Sequence, residues 1–167
     1  MLFRSQALIE ALIYYQARGG TVAYDSNHRP KLWESSEVAR ETNAVMWDFA
    51  SLALPSVDDE IAIFGNVDAS DVIARLCKRG PRIGALKRGH LGPYDLEQNT
   101  MQSYGTAQNV VDSTAAGDSF NAGFLAGYIT GTSAGERLIQ AHDLAAQVVQ
   151  HRGAILPDTV LANLLKR

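Results

Sequence analysis

Apolar residues along this chain recur with two periods, and the switches between them lay out alternating helices and short strands. In residues 5–17, Leu8, Leu12 and Tyr15 share one helical face, and Gly19 and Gly20 close the segment. Residues 21–24 then read as a short strand ending at Asp25. A helix over 35–49 opens on the polar Ser35, Ser36 and Glu37, and a strand over 51–54 follows. Pro55 stops that strand from continuing as a central one. Ser56 is placed to cap a further helix, with Asp59 in the third position after it. Residues 68–71 begin the next helix, which runs through Val72, Ile73 and Leu76 to Gly80 and Pro81. A strand over 82–87 leads into the turn 88–92, and segments 93–96 and 101–104 read as a hairpin.

The β-branched pair Val110 and Val111 suits the end of a strand, and Phe120, Phe124 and Tyr128, four apart, mark a helix beyond it. Another helix spans 134–150 with Leu138, Ala141, Ala145 and Val148 turned inward, and a short one closes the chain. Helix, glycine turn and strand in this rhythm predict an α/β domain with a mostly parallel sheet. Ligands of such sheets gather at the carboxyl ends of strands. Gly123, Gly127 and Gly131 fall on one stripe of the helix through Phe120, where they let a neighbouring element come close.

Composition narrows this without changing it. A chain of 167 residues is enough for one domain with a core, and no repeat or linker divides it, so residues 1–167 read as a single domain. Hydrophobic content of 46% with 20% charged residues fits a soluble globular protein. The net charge of -3 provides no basic field, which argues against nucleic acid as a partner. Glu10 interrupts the first apolar run, against a secretory signal, and the charge-free stretch 119–135 is too short to span a membrane. Cys77 alone cannot form an internal disulfide, as expected in the cytoplasm, and its helix predicts a packed, inert thiol. His28, His142 and His151 lack the companions that a metal site needs.

The chemistry concentrates in residues 110–124, V-V-D-S-T-A-A-G-D-S-F-N-A-G-F. Ala115, Ala116 and Gly117 leave their backbone N–H groups uncovered where a helix begins, and those donors with the helix dipole suit phosphate oxygens. Asp118 puts a carboxylate beside that anion site, where a hydroxyl attacking a γ-phosphate would need a base. A helix start with a capping Asp and small residues for packing accounts for parts of the run, but not for its order. The run resembles the C-terminal motif of the ribokinase-like (PfkB) sugar kinases, written D-T-x-G-A-G-D-x-F in most members. Its variant here, D-S-T-A-A-G-D-S-F, is closest to the branch that phosphorylates 2-keto-3-deoxygluconate.

The same resemblance reaches other segments. Asp25-Ser26-Asn27-His28-Arg29, ending in Leu32 and Trp33, is similar to that branch's D-x-N-x-R-x-x-L-W, which implies that Asn27 and Arg29 face phosphates and the sugar acid. Arg offers a planar fork for phosphate or carboxylate, and Asn an amide donor. An Asx-type turn with a solvated Arg remains the alternative. Lys87, Gly89 and Gly92 match the family's K-x-G-x-x-G, which passes beneath the nucleotide phosphates, although a plain glycine turn would look the same. Ser56 and Asp59 stand where many members have N-x-x-E, tied to magnesium. Asp59 holding a magnesium-bound water and Ser56 simply capping a helix both stay open.

Together these resemblances imply a ribokinase-like three-layer αβα domain that lacks the family's N-terminal strands and β-lid. They also imply an ATP- and Mg2+-dependent sugar-acid kinase with Asp118 as base. Only the C-terminal half of the family's pattern is matched, and nothing here matches the G-G-x-x-x-N sugar site of its other half. A fragment, or a chain that associates with that half or with itself, is therefore expected, with doubtful activity alone. Another sugar kinase of ribokinase or fructokinase type, and a non-catalytic nucleotide-binding remnant, are the alternatives.

Overall fold

The computed structural model describes residues 2–65, 67–79, 83–98 and 100–164. The expected helix stop at Gly80 and Pro81, and Arg82 at the start of the next strand, lie outside them. By their internal contacts the residues form two compact units, Met1–Arg88 with Tyr94–Thr100, and Gly89–Pro93 with Met101–Arg167.

The first unit is an α/β fold around a mixed four-stranded sheet in the order β1-β2-β3-β4. It runs α1 (Leu2–Gln16), β1 (Ala23–Tyr24), α2 (Ser36–Phe49), β2 (Leu52–Ala53), α3 (Val57–Phe64), α4 (Ala69–Arg79), β3 (Ile83–Leu86) and β4 (Tyr94–Asp95). β1 pairs in parallel with β2 through Ala23↔Leu52 and Tyr24↔Ala53, and β2 with β3 through Leu52↔Ile83 and Ala53↔Gly84. β4 turns back antiparallel on β3, Ala85↔Asp95 and Leu86↔Tyr94. β2 is thus a central strand that ends before Pro55. Helix caps follow the sequence: the Ser35 hydroxyl accepts from Val38 N–H and the Ser56 hydroxyl from Asp59 N–H. Trp47, Ala50, Ala53, Val72, Leu76, Leu86 and Leu96 build the core, with Tyr24, Ile61 and Phe64 packed against it. Cys77 faces solvent, one position past the buried Leu76, so the expected packed thiol is instead exposed.

The second unit is helical, with α5 (Ala116–Thr130), α6 (Ala134–Val148) and α7 (Asp158–Leu164). Phe120 and Phe124 are buried and stacked at 6.4 Å between ring centroids, and Leu138, Ala141 and Val148 of α6 are buried too. Ser133 and Glu136 form a reciprocal capping box at the start of α6. Two expectations fail here. Residues 101–104 form no strand, and the hairpin reduces to a single Asp95↔Thr100 bridge in the first unit. Val110 and Val111 are exposed and end no strand; Val111 and Asp112 N–H both donate to Val149 O. No described helix is long and apolar enough to cross a membrane.

Candidate active site

In the first unit the candidate residues collect at the carboxyl edge of the parallel strands. Asp25 follows β1 and Lys87 follows β3, and Lys87 Nζ donates to Asp25 Oδ2 at 2.5 Å across the end of β2. Lys87 is also tied through its backbone: its N–H donates to Pro55 O at 2.8 Å, and its carbonyl accepts from Val57 N–H at 2.9 Å. Those bonds bring the lysine against the N-terminus of α3, whose first turn holds Asp58, Asp59 and Glu60. Asn27 and Arg29 are exposed in the loop beyond β1. Asn27 is one of two described non-glycine residues with positive φ, at 37°, and its N–H donates to Asp25 Oδ1 at 3.2 Å. That bond is the Asx turn that the sequence left open as the alternative reading of this loop. Arg29 donates to its neighbour His28 O at 2.9 Å.

The second unit holds the other group. Gly89 and Gly92 bound a short 3-10 turn, Gly89–Leu91, closed by Gly92 N–H to Gly89 O at 3.1 Å. Gly92 has φ 73°, and a Cβ there would sit 2.4 Å from the Tyr104 ring, so glycine is required on both counts. At the head of α5, Ala115 is the N-cap in a left-handed conformation, φ 60° and ψ 13°. This kink redirects the amides of the turn. Ala116 N–H returns to Ser113 O at 3.2 Å, while the N–H groups of Ala115, Gly117 and Asp118 meet no backbone acceptor among the described residues. Free amides at the start of a long helix fit an oxyanion or phosphate. Asp118 lies in the first turn of α5 and is exposed.

Asp112 fastens this turn from behind. Its Oδ1 accepts from Thr114 N–H and its Oδ2 from Gly153 N–H, both at 2.9 Å. The Thr114 hydroxyl first, then the Gly153 and Thr114 amides, push its pKa down to about 2. The motif's first Asp is therefore a staple between the turn before α5 and the segment after α6.

Sequence reasoning did not single out Asp25, Glu60 or Asp112 as site residues. Asp25 was detectable from its place at the end of a strand. Glu60 was not, because an acidic helix start reads as a solvated cap, whereas here its side chain is fully buried. Among the described residues no group of three or more His, Cys, Asp or Glu could hold a metal ion.

The profile of the pfkB family carbohydrate kinases matches residues 4–160. The chain belongs to that family. A curated pfkB relative, the 2-dehydro-3-deoxygluconokinase of Escherichia coli, is 36% identical over 161 residues, covering 91% of this chain and 51% of the relative. The enzyme of that name from Haemophilus influenzae is 36% identical over 162 residues, covering 94% and 51%. The chain thus spans about half the length of the curated relatives it matches. Among solved structures, aminoimidazole riboside kinase from Salmonella enterica, complexed with its riboside and an ATP analogue, superposes with TM-score 0.81 at 24% identity. That superposition covers 96% of this chain and 57% of that one. It shows the ribokinase-like fold. Against the pfkB motif, Ala115 occupies the position that most members give to glycine, which is the position held left-handed here.

Proposed function

We propose that this chain carries the ATP-binding half of a cytoplasmic kinase that phosphorylates 2-dehydro-3-deoxygluconate. The observation that carries the reading is the head of α5, where a left-handed Ala115 frees backbone amides beside the exposed carboxylate of Asp118. Its support from relatives is the 36% identity to 2-dehydro-3-deoxygluconokinases along most of the chain.

In this reading Asp118 takes the proton from the acceptor hydroxyl as the new O–P bond forms. The amides of Ala115, Gly117 and Asp118 face the negative charge that grows on the transferred group, while Ala116, expected to join them, spends its N–H on Ser113 O and serves to shape the turn. ATP, when bound, supplies the γ-phosphoryl group and leaves as ADP. Lys87, Gly89 and Gly92 are assigned to the nucleotide phosphates, and Asn27 and Arg29 to phosphate or to the sugar-acid carboxylate. A magnesium ion would be held mainly by phosphate oxygens and waters, with Asp59 reaching it through a water. Residues 1–167 act in this reading as one nucleotide-binding domain, completed by the half that carries the sugar site.

The test is Asp118→Asn in a form that turns over. The amide keeps the shape and removes the base, so kcat falls by more than ~10²-fold while calorimetric ATP affinity stays near wild type. Near-normal turnover in that variant ends the assignment. The half-length coverage favours one second reading, a nucleotide-binding subunit without turnover, which binds ATP and releases no ADP in the same assay.

A further inference from the structure

Asp25 follows β1 directly, and its two carboxylate oxygens serve two different segments. Oδ1 accepts from the Asn27 backbone N–H at 3.2 Å, closing the turn that leads to Arg29. Oδ2 accepts from Lys87 Nζ at 2.5 Å, past β2, at the residue after β3. The Lys87 and Asp25 side chains are 12% and 18% exposed, so the pair is shielded from water without being sealed off. One carboxylate thus joins the lysine to the loop, and each of those was assigned to an anion without reference to it.

A tie between strands is the plainer explanation of such a pair. The strands are already joined, because β2 lies between β1 and β3 and pairs in parallel with each. The Lys87 backbone is fixed on both sides as well, by Pro55 O at 2.8 Å and Val57 N–H at 2.9 Å. What Asp25 adds is therefore the direction of the lysine side chain, whose four-carbon stem has many rotamers. An ammonium has three donors, and the bond to Asp25 takes one. The other oxygen acts on the loop, where Asn27 sits at φ 37°, a conformation that persists where its surroundings fix it. A carboxylate close to phosphate-binding groups repels phosphate, so it costs affinity unless it also positions them. We propose that Asp25 is a positioning residue: without touching the ligand, it holds the Lys87 ammonium and the Asn27–Arg29 loop in one arrangement that receives an anion. The inference rests on the assignment of Lys87, Asn27 and Arg29 to phosphate or sugar-acid carboxylate.

Calorimetry of Mg-ATP binding to the whole chain tests it, with Asp25→Asn and Asp25→Ala. The asparagine keeps an oxygen for the Asn27 amide but loses the charge that directs Lys87. ATP affinity should fall by roughly 2- to 10-fold in Asp25→Asn, the usual cost of ordering one long side chain on binding. Asp25→Ala loses both bonds, so affinity should fall further, and amide exchange in residues 27–29 should quicken in that variant alone. Adding Asp25→Asn to Lys87→Met should cost little more than Lys87→Met, because the asparagine acts through the lysine. Acylation of Lys87, read by mass spectrometry against Lys31 and Lys78, should rise in Asp25→Asn and report the link without any ligand; an unchanged rate denies it. Unchanged or higher ATP affinity in Asp25→Asn, with Lys87→Met weakened, overturns the proposal: Asp25 is then only a counter-ion that phosphate displaces. Alanine and asparagine variants that behave alike overturn the hold on the loop. Should Asp25→Asn fail to fold, Asp25→Ser, which keeps a turn-forming oxygen but is shorter and uncharged, takes its place. Unchanged ATP affinity in Lys87→Met defeats the phosphate assignment itself, and the proposal falls with it.

Discussion

Ala115 is held in the left-handed conformation at the turn before α5. A left-handed conformation costs an L-residue about 1–2 kcal/mol, and glycine there would remove that cost while adding roughly 0.5–1 kcal/mol of unfolded-state entropy. Ala115→Gly is therefore expected to leave stability equal or raise it by up to ~1 kcal/mol, read as the midpoint of urea unfolding. A clear loss of stability would mean that the alanine methyl group packs favourably where it sits. Two positions on, Gly117 belongs to α5 and is not among the residues with positive φ, so its role is space rather than backbone angle. Gly117→Val should crowd the amides that meet phosphate and weaken ATP binding more than Asp118→Asn does. Equal ATP affinities in the two variants, measured by calorimetry, would count against the anion site. At this scale the sequence was read well where a residue type has one use. Ser35, read as part of a polar helix start, and Ser56, read as a cap, cap their helices through local hydroxyl geometry alone. It was read poorly where tertiary packing decides. Alanine is no turn signal, so nothing marked Ala115 as left-handed, and Cys77 lies on the outward side of α4 although the helix itself was foreseen.

Between elements, α5 and α6 are held by a close approach that the glycine stripe announced. A Cβ on Gly123 would lie 2.8 Å from Ala141 Cα, backbone against backbone, where neither side can yield cheaply. Gly→Ala in a helix otherwise gains up to ~1 kcal/mol, but forced overpacking costs about 1–3 kcal/mol, so Gly123→Ala is expected to be a net loss. Gly135→Ala, whose Cβ meets the Gln102 side chain at 3.4 Å, should hold at or above wild type. Thermal unfolding of the pair checks the contrast, and equal behaviour would remove the close-packing argument. Gly131, read as part of the same stripe, is instead the left-handed C-cap of α5, because the helix ends there. The missing strands have a different cause. Val110 and Val111 favour extended backbone, but a strand also needs a neighbour in register, which no local pattern reveals. Their place is fixed by Val149 O and by the Asp112 staple. Because the folded pKa of Asp112 is depressed to about 2, its contribution is complete above the ordinary carboxylate value and disappears as pH falls from about 4 to about 2. Asp112→Asn should be less stable than wild type at pH 6, and the gap should close across that window. A gap independent of pH would show that the staple does not depend on its charge.

For the molecule as a whole, the central matter is what a chain half as long as its relatives can do. Phosphoryl transfer gains its rate from positioning and charge stabilisation, so on the proposed reading a chain that spans about half the length of its kinase relatives is expected to forfeit most of that rate when tested alone. The first unit also presents surface suited to further contacts. β1 is an edge strand paired only with β2 among the described residues, and α1 exposes Leu8, Ile13, Tyr14 and Tyr15, each by about half or more. An edge strand and several exposed apolar side chains both favour association. One covering element would remedy the edge and supply the sugar site together, so the two defects should respond as one. We expect the chain alone to self-associate in sedimentation and to release ADP slowly with Mg-ATP and 2-dehydro-3-deoxygluconate. Adding the N-terminal half of a related sugar-acid kinase, fused or as a separate chain, should reduce association and raise turnover in parallel. Repair of association without any gain in turnover would favour the non-catalytic subunit. A monomer that phosphorylates the sugar acid unaided at ordinary rates, on the order of 1–10³ s⁻¹, would show that these residues already contain an acceptor site, and the search for it would begin at Asn27 and Arg29.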